Sequence, residues 1–143
     1  MPYQHYLEGQ WVTGHGELLA VTNPSTEATI AHLALADEAQ LLSALRCAHQ
    51  AQRSWRKLTS AERAKYLQQL AQAIETAAPN IGAALAEESG KSLADATAEA
   101  QYAGDITRYH AEWARRIEGE LMPSDNPDEQ LMLMREPFWL PFA

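Results

Sequence analysis

Glu87 and Glu88, followed by Ser89, Gly90 and Lys91, form the polar cluster of this chain best placed to do chemistry. Two adjacent carboxylates at the C-terminal end of a helix oppose its macrodipole. Such a pair is tolerated in water, offset by Lys91, or supported by a bound cation, and the residues leave all three open. Cys47 carries the single thiol of the chain, and a thiolate is a nucleophile. It sits in mid-helix text, ALRCAHQAQ, with no electropositive cap beside it. His49 lies two positions on, and i,i+2 residues of a helix do not face each other. Cys47 therefore reads as a packing or surface cysteine. The five histidines, His5, His15, His32, His49 and His110, lack metal-ligand spacing. Gly14-His15-Gly16 is too short to cradle a phosphate and reads as a flexible turn. The chain contains no G-x-G-x-x-G, P-loop, H-E-x-x-H or G-x-S-x-G. By spacing alone, no residue qualifies as catalytic or cofactor-binding.

The elements that must position these groups follow from periodicity. Tyr6-Leu7 and Gln10 to Val12 flank Glu8-Gly9, a hairpin whose turn needs the positive φ that glycine supplies. Leu18 to Val21 and Thr29 to Leu33 read as two more strands. Asn23-Pro24-Ser25-Thr26 turns between them, because asparagine tolerates unusual φ and proline fixes its own. From Asp37, a plausible N-cap, the period becomes helical, with Leu41, Leu45, Ala48, Ala51 and Trp55 in one stripe. Thr59-Ser60-Ala61-Glu62 spells a capping box for a second helix carrying Ala64, Leu67, Leu70, Ala71 and Ile74. Pro79 is expected to break it and to open a third helix through Ile81 and Leu85 that Gly90 caps. A fourth and longest helix is expected over Leu93 to Glu118, stopping at Gly119, with Ala94, Ala98, Tyr102, Ile106, Tyr109, Trp113 and Ile117 facing a core. Glu120 to Pro123 and Gln130 to Arg135 then read as strands around Ser124-Asp125-Asn126-Pro127. Leu131 to Met134 is apolar on both faces, so that strand expects cover on both sides. The expected class is α+β: four helices and short β-ribbons, with no βαβ unit.

Composition narrows the partners. With 143 residues, 46% hydrophobic and 21% charged, the chain is long enough for one domain with a core. Eleven basic against 19 acidic residues give a net charge of −8, which argues against nucleic acid. The densest basic run, Arg53 to Lys57, reads as a solvated helix end. One cysteine excludes a disulfide framework. No apolar run approaches the ~20 residues of a membrane span, and the N-terminus does not read as a signal peptide. A cytoplasmic protein that binds no membrane is the expectation.

The order of five stretches says more than any motif. EGQWV (Glu8 to Val12), VTNPSTEATIA (Val21 to Ala31), SWRKLTSAERAKYLQQLAQAI (Ser54 to Ile74), LAEESGKSL (Leu85 to Leu93) and YHAEWARRIEGELMPSD (Tyr109 to Asp125) follow one another. In that order the chain resembles the N-terminal part of the aldehyde dehydrogenase superfamily, over Tyr6 to about Pro137. Glu27-Ala28, where many members have Gly-Glu, and the AEWARRIEGE helix end look most like the lactaldehyde and glycolaldehyde dehydrogenase branch.

The resemblance implies NAD- or NADP-dependent oxidation of an aldehyde to a carboxylate in the intact family. There a cysteine thiolate attacks the aldehyde, hydride leaves to the nicotinamide, and a glutamate activates water against the thioester. The family places that cysteine and glutamate, a cofactor-contacting lysine and a glycine-rich turn beyond the stretch matched here. Cys47 falls where the family has a small helix residue, so the resemblance does not make it the nucleophile. It implies catalytic residues: none, cofactor-binding residues: none, and no NAD or NADP held by this chain alone. It also implies a remnant monovalent-cation site, with a backbone carbonyl at Thr22 and the side chain of Glu88 as ligands.

Residues 1–137 would then be a partial cofactor-domain segment of the α/β aldehyde dehydrogenase fold, without its dinucleotide-binding parallel sheet. Residues 119–137 would begin an oligomerisation ribbon. The tail departs from the pattern: Arg135-Glu136-Pro137 runs into Phe138-Trp139-Leu140-Pro141-Phe142-Ala143, a shortened echo of the family's W-N-F-P without the asparagine. A deletion and a frameshift both produce it. Three readings follow: a truncated enzyme inactive alone, one piece of a split enzyme, or an interaction module that joins a full-length relative. The first of these expects apolar stripes and the Leu131 to Met134 strand in water, and hence aggregation or self-association.

Overall fold

The computed structural model describes residues 3–136. The order is β1 (His5–Leu7), β2 (Gln10–Val12), β3 (Leu18–Thr22), β4 (Thr29–Ala34), α1 (Glu38–Trp55), α2 (Ser60–Ser89), α3 (Leu93–Trp113), β5 (Glu120–Pro123) and β6 (Gln130–Leu133). The strands form three separate antiparallel pairs, β1–β2, β3–β4 and β5–β6, and no parallel pairing occurs among the described residues. The α+β class holds, with three helices in place of four among the described residues. The divergent tail, 138–143, lies outside the described residues.

The first hairpin turns through Glu8 (φ 54°) and Gly9 (φ 80°), two consecutive positive values that match the strand twist. Tyr6 faces Trp11 across the pair, their rings 5.1 Å apart edge-on. His5 Nε2 lies 2.8 Å from the Ala34 carbonyl oxygen, which can only accept, and so anchors this hairpin to β4. Gly14 is a packing position rather than a flexible turn. A Cβ built there would stand 2.1 Å from the Ala34 carbonyl oxygen. The ladder of β3–β4 continues past it, Gly16 N–H donating to Leu35 O and Leu35 N–H to Glu17 O.

Each helix start is capped by its own text. Asp37 accepts from Gln40 N–H while the Gln40 amide oxygen accepts from Asp37 N–H, a full capping box. Thr59 and Glu62 form the second box, and Ser92 caps α3 by accepting from Asp95 N–H. α1 has no buried residue; Trp55 at its end packs its ring 5.7 Å from that of Tyr66 on α2.

Pro79 does not break α2, which runs on to Gly90 in the left-handed region (φ 72°). A proline removes the hydrogen bond to the carbonyl four residues back, here Glu75. Ala78 and Gly82, on either side of it, are buried, and this tertiary packing outweighs the local loss. α3 likewise ends earlier than its periodicity suggests. Ala114 N–H reaches Ala111 O and Arg116 N–H reaches Trp113 O, so the last turns tighten and residues 115–119 leave for the ribbon. Gly119 is not a helix cap: a Cβ there would lie 2.4 Å from the Leu133 carbonyl oxygen, so it lets the chain pass against β6. β6 stops at Leu133.

The densest packing is α2 against α3. The seam is built from small residues: Ala71, Ala78 and Gly82 on α2, and Ala96, Ala100, Gly104 and Ala111 on α3. The aromatic stripe of α3 is not core-facing: Tyr102, Ile106, Tyr109 and Trp113 are exposed, as is Ile117 beyond the helix end. Close helix approach requires small side chains, and the large ones turn outward. Arg108 pairs with Glu75 across the seam, and the carboxylate beside it raises the arginine's already high pKa.

All buried hydrophobic side chains among the described residues are alanines. The chain exposes 11180 Å², whereas a compact monomer of 15.9 kDa exposes about 7,400 Å². Roughly 3,800 Å² of surface is therefore in excess of what a self-contained domain of this mass shows.

Two outcomes are expected. Gly82→Ala places a Cβ 2.5 Å from Thr97 Oγ1 and 2.7 Å from Thr97 Cα. It should destabilise by ~1–3 kcal/mol in urea titration although alanine is the better helix former; a stabilised variant would mean the helices stand further apart. Thr59 N–H and hydroxyl hold the Glu62 carboxyl below its ordinary pKa. The unfolded chain then binds this proton first as pH falls. The cap is at full strength above the ordinary glutamate range and is lost as pH drops through the lower folded value. Glu62→Gln should flatten that acid-side loss of helicity in circular dichroism, and an unchanged titration would refute the linkage.

Candidate functional site

The two ends of the expected cation site, Thr22 and Glu88, sit on elements that the fold brings together. Thr22 closes β3, just past an irregularity in the β3–β4 register. The turn that follows is organised by Asn23, though not through its own φ. Its side-chain oxygen accepts from Ser25 and Thr26 N–H, and its backbone bonds to Glu27 and Ala28. The left-handed residue of the turn is Glu27 (φ 60°), a conformation that favours glycine. The strain thus falls on the glutamate that stands where the resemblance expects glycine.

Gly90 caps α2 directly against this turn. A Cβ added there would lie 2.8 Å from Ser25 Oγ and 2.9 Å from Pro24 Cγ. A cavity of about 290 Å³ opens beside it, walled by Val21, Ile30, Ala31, Leu33 and Ala84, with Glu87 and Glu88 at its acidic side. Lys91 does not offset Glu88; it pairs with Glu99 on α3. Both carboxylates are exposed, and no basic residue occupies the last turn of α2.

An acidic side chain beside a strand end suits a hard cation with oxygen ligands. No group of three histidine, cysteine, aspartate or glutamate side chains that could hold a metal occurs among the described residues.

The three helix N-termini among the described residues offer no open phosphate cradle. Helix N-termini bind phosphate when their N–H groups are free. Here Asp37, Thr59 and Ser92 occupy those positions, and Glu38, Glu62 and Asp95 place negative charge in the first turns.

The remaining chemistry-bearing residues do not converge. Cys47 is half-buried on α1. His49 Nε2 is 3.4 Å from Arg53 Nη2 on the same helix, and His15 Nδ1 is 3.6 Å from Asp37 Oδ2. His110 stacks edge-on with Tyr109. Sequence reasoning overlooked Gln40. Besides its capping role, it accepts from His15 N–H and donates to the Thr13 carbonyl, tying the first turn of α1 to the 13–15 loop. The signal was present as a glutamine three residues after an N-cap.

A profile described as the aldehyde dehydrogenase family matches residues 11–139. The chain belongs to the aldehyde dehydrogenase family. Among curated relatives it is 38% identical over 138 residues to lactaldehyde dehydrogenase of Escherichia coli strain K12, covering 94% of this chain and 29% of that protein. It is 32% identical over 136 residues to 3,6-anhydro-α-L-galactose dehydrogenase of Vibrio sp. strain EJY3, covering 94% and 28%. The crystal structure of E. coli lactaldehyde dehydrogenase superposes with a TM-score of 0.84 at 36% identity, over 92% of this chain and 28% of that one. An NAD-dependent benzaldehyde dehydrogenase from Corynebacterium glutamicum gives 0.80 at 30% identity, over 89% and 28%. The chain thus spans less than a third of the relatives it matches, in their N-terminal part.

Proposed function

We propose that this chain is N-terminal scaffold of an NAD- or NADP-dependent aldehyde dehydrogenase and oxidises no aldehyde by itself. The observation that carries the reading is the match to 28% of a lactaldehyde dehydrogenase at a TM-score of 0.84. The resemblance puts the family's nucleophile, cofactor-contacting lysine and glycine-rich turn beyond the matched stretch, which supports the same reading. The lactaldehyde relative points to a small hydroxyaldehyde as the substrate of the complete enzyme. One cysteine and an acidic net charge suit a cytoplasmic chain with no nucleic-acid partner, and no helix among the described residues is long and apolar enough to cross a membrane.

A second reading rests on the surplus surface. Residues 119–137 begin an assembly ribbon, and the exposed stripe of α3 continues it, so the chain joins a complementary half or an intact relative. The test is nicotinamide reduction with lactaldehyde, monitored by absorbance. The chain alone should give none; turnover by the purified chain would overturn the scaffold reading. Mixing it with the complementary part of an E. coli-type lactaldehyde dehydrogenase should restore turnover under the split reading. No restoration, and no co-elution with the intact enzyme, would remove that reading and leave the first.

We also propose that Thr22, through its backbone carbonyl, and Glu88, through its side chain, form part of a monovalent-cation site. Sodium or potassium should raise the thermal midpoint by ~2–4 °C over a bulky organic cation at equal ionic strength. Glu88→Gln should abolish the difference. An equal gain in that variant would show general salt screening instead.

A further inference from the structure

We draw no further inference here: the strongest candidate, the apolar groove between the end of α1 and the start of α2 lined by Ala51, Trp55, Leu58 and Tyr66, carries nothing, because nothing in the structure shows what covers it in a chain that spans less than a third of its relatives.

Discussion

The close approach of α2 and α3 is the constraint on which the rest of this molecule depends. Gly82 meets Thr97 and Gly104 meets Glu75 at distances where no further side-chain atom fits, and alanines fill the remaining positions. Dense packing of small groups gains dispersion energy at many short contacts, but each alanine buries little apolar area. The seam fixes geometry better than it supplies hydrophobic stability. It also decides where everything large must go. With both inner faces taken by alanine and glycine, Tyr66, Leu70 and Ile81 of α2 and Tyr102, Tyr109 and Trp113 of α3 are left exposed on outer faces.

Polar connections then place the smaller parts on this hairpin of helices. The Gly90 cap is set against Pro24 and Ser25, and the cap of α1 is shared with the 13–15 loop through Gln40. These are single hydrogen bonds and short contacts near the surface, each contributing about 1 kcal/mol at most. The strand pairs are thus positioned without being buried, as a scaffold that meets a larger body would have them.

Local text predicted local structure well. The caps at Asp37 and Thr59, the hairpin at Glu8-Gly9 and the stop at Gly90 each depend on chemistry within four residues, and each stands as read. The misreadings share one cause, which is that tertiary contact decides them. Pro79 stays helical because Ala78 and Gly82 are held by α3. Gly119 passes β6 because Leu133, fourteen residues on, lies against it. The stripe through Tyr102 and Trp113 has helical spacing, but spacing does not say which of two stripes the neighbouring helix takes. The family resemblance rests on word order along the chain, which is why it was visible when no catalytic spacing was. The cation site proposed at Thr22 and Glu88 rests on that resemblance, since a backbone carbonyl has no letter in a sequence; the residues alone singled out Glu87-Glu88 without a partner.

The helix hairpin is also a spacer. α3 starts three residues after the α2 cap that touches the 23–28 turn, and it ends seven residues before the β5–β6 ribbon. Its 21 residues span about 31 Å along the axis. Electrostatic influence through water falls off within ~8 Å at physiological salt. Charges at the two ends of α3 are therefore screened from each other, and only a rigid-body movement of the rod could couple them. The chain holds its acidic end and its apolar end at a set distance, as two independent addresses on one ruler.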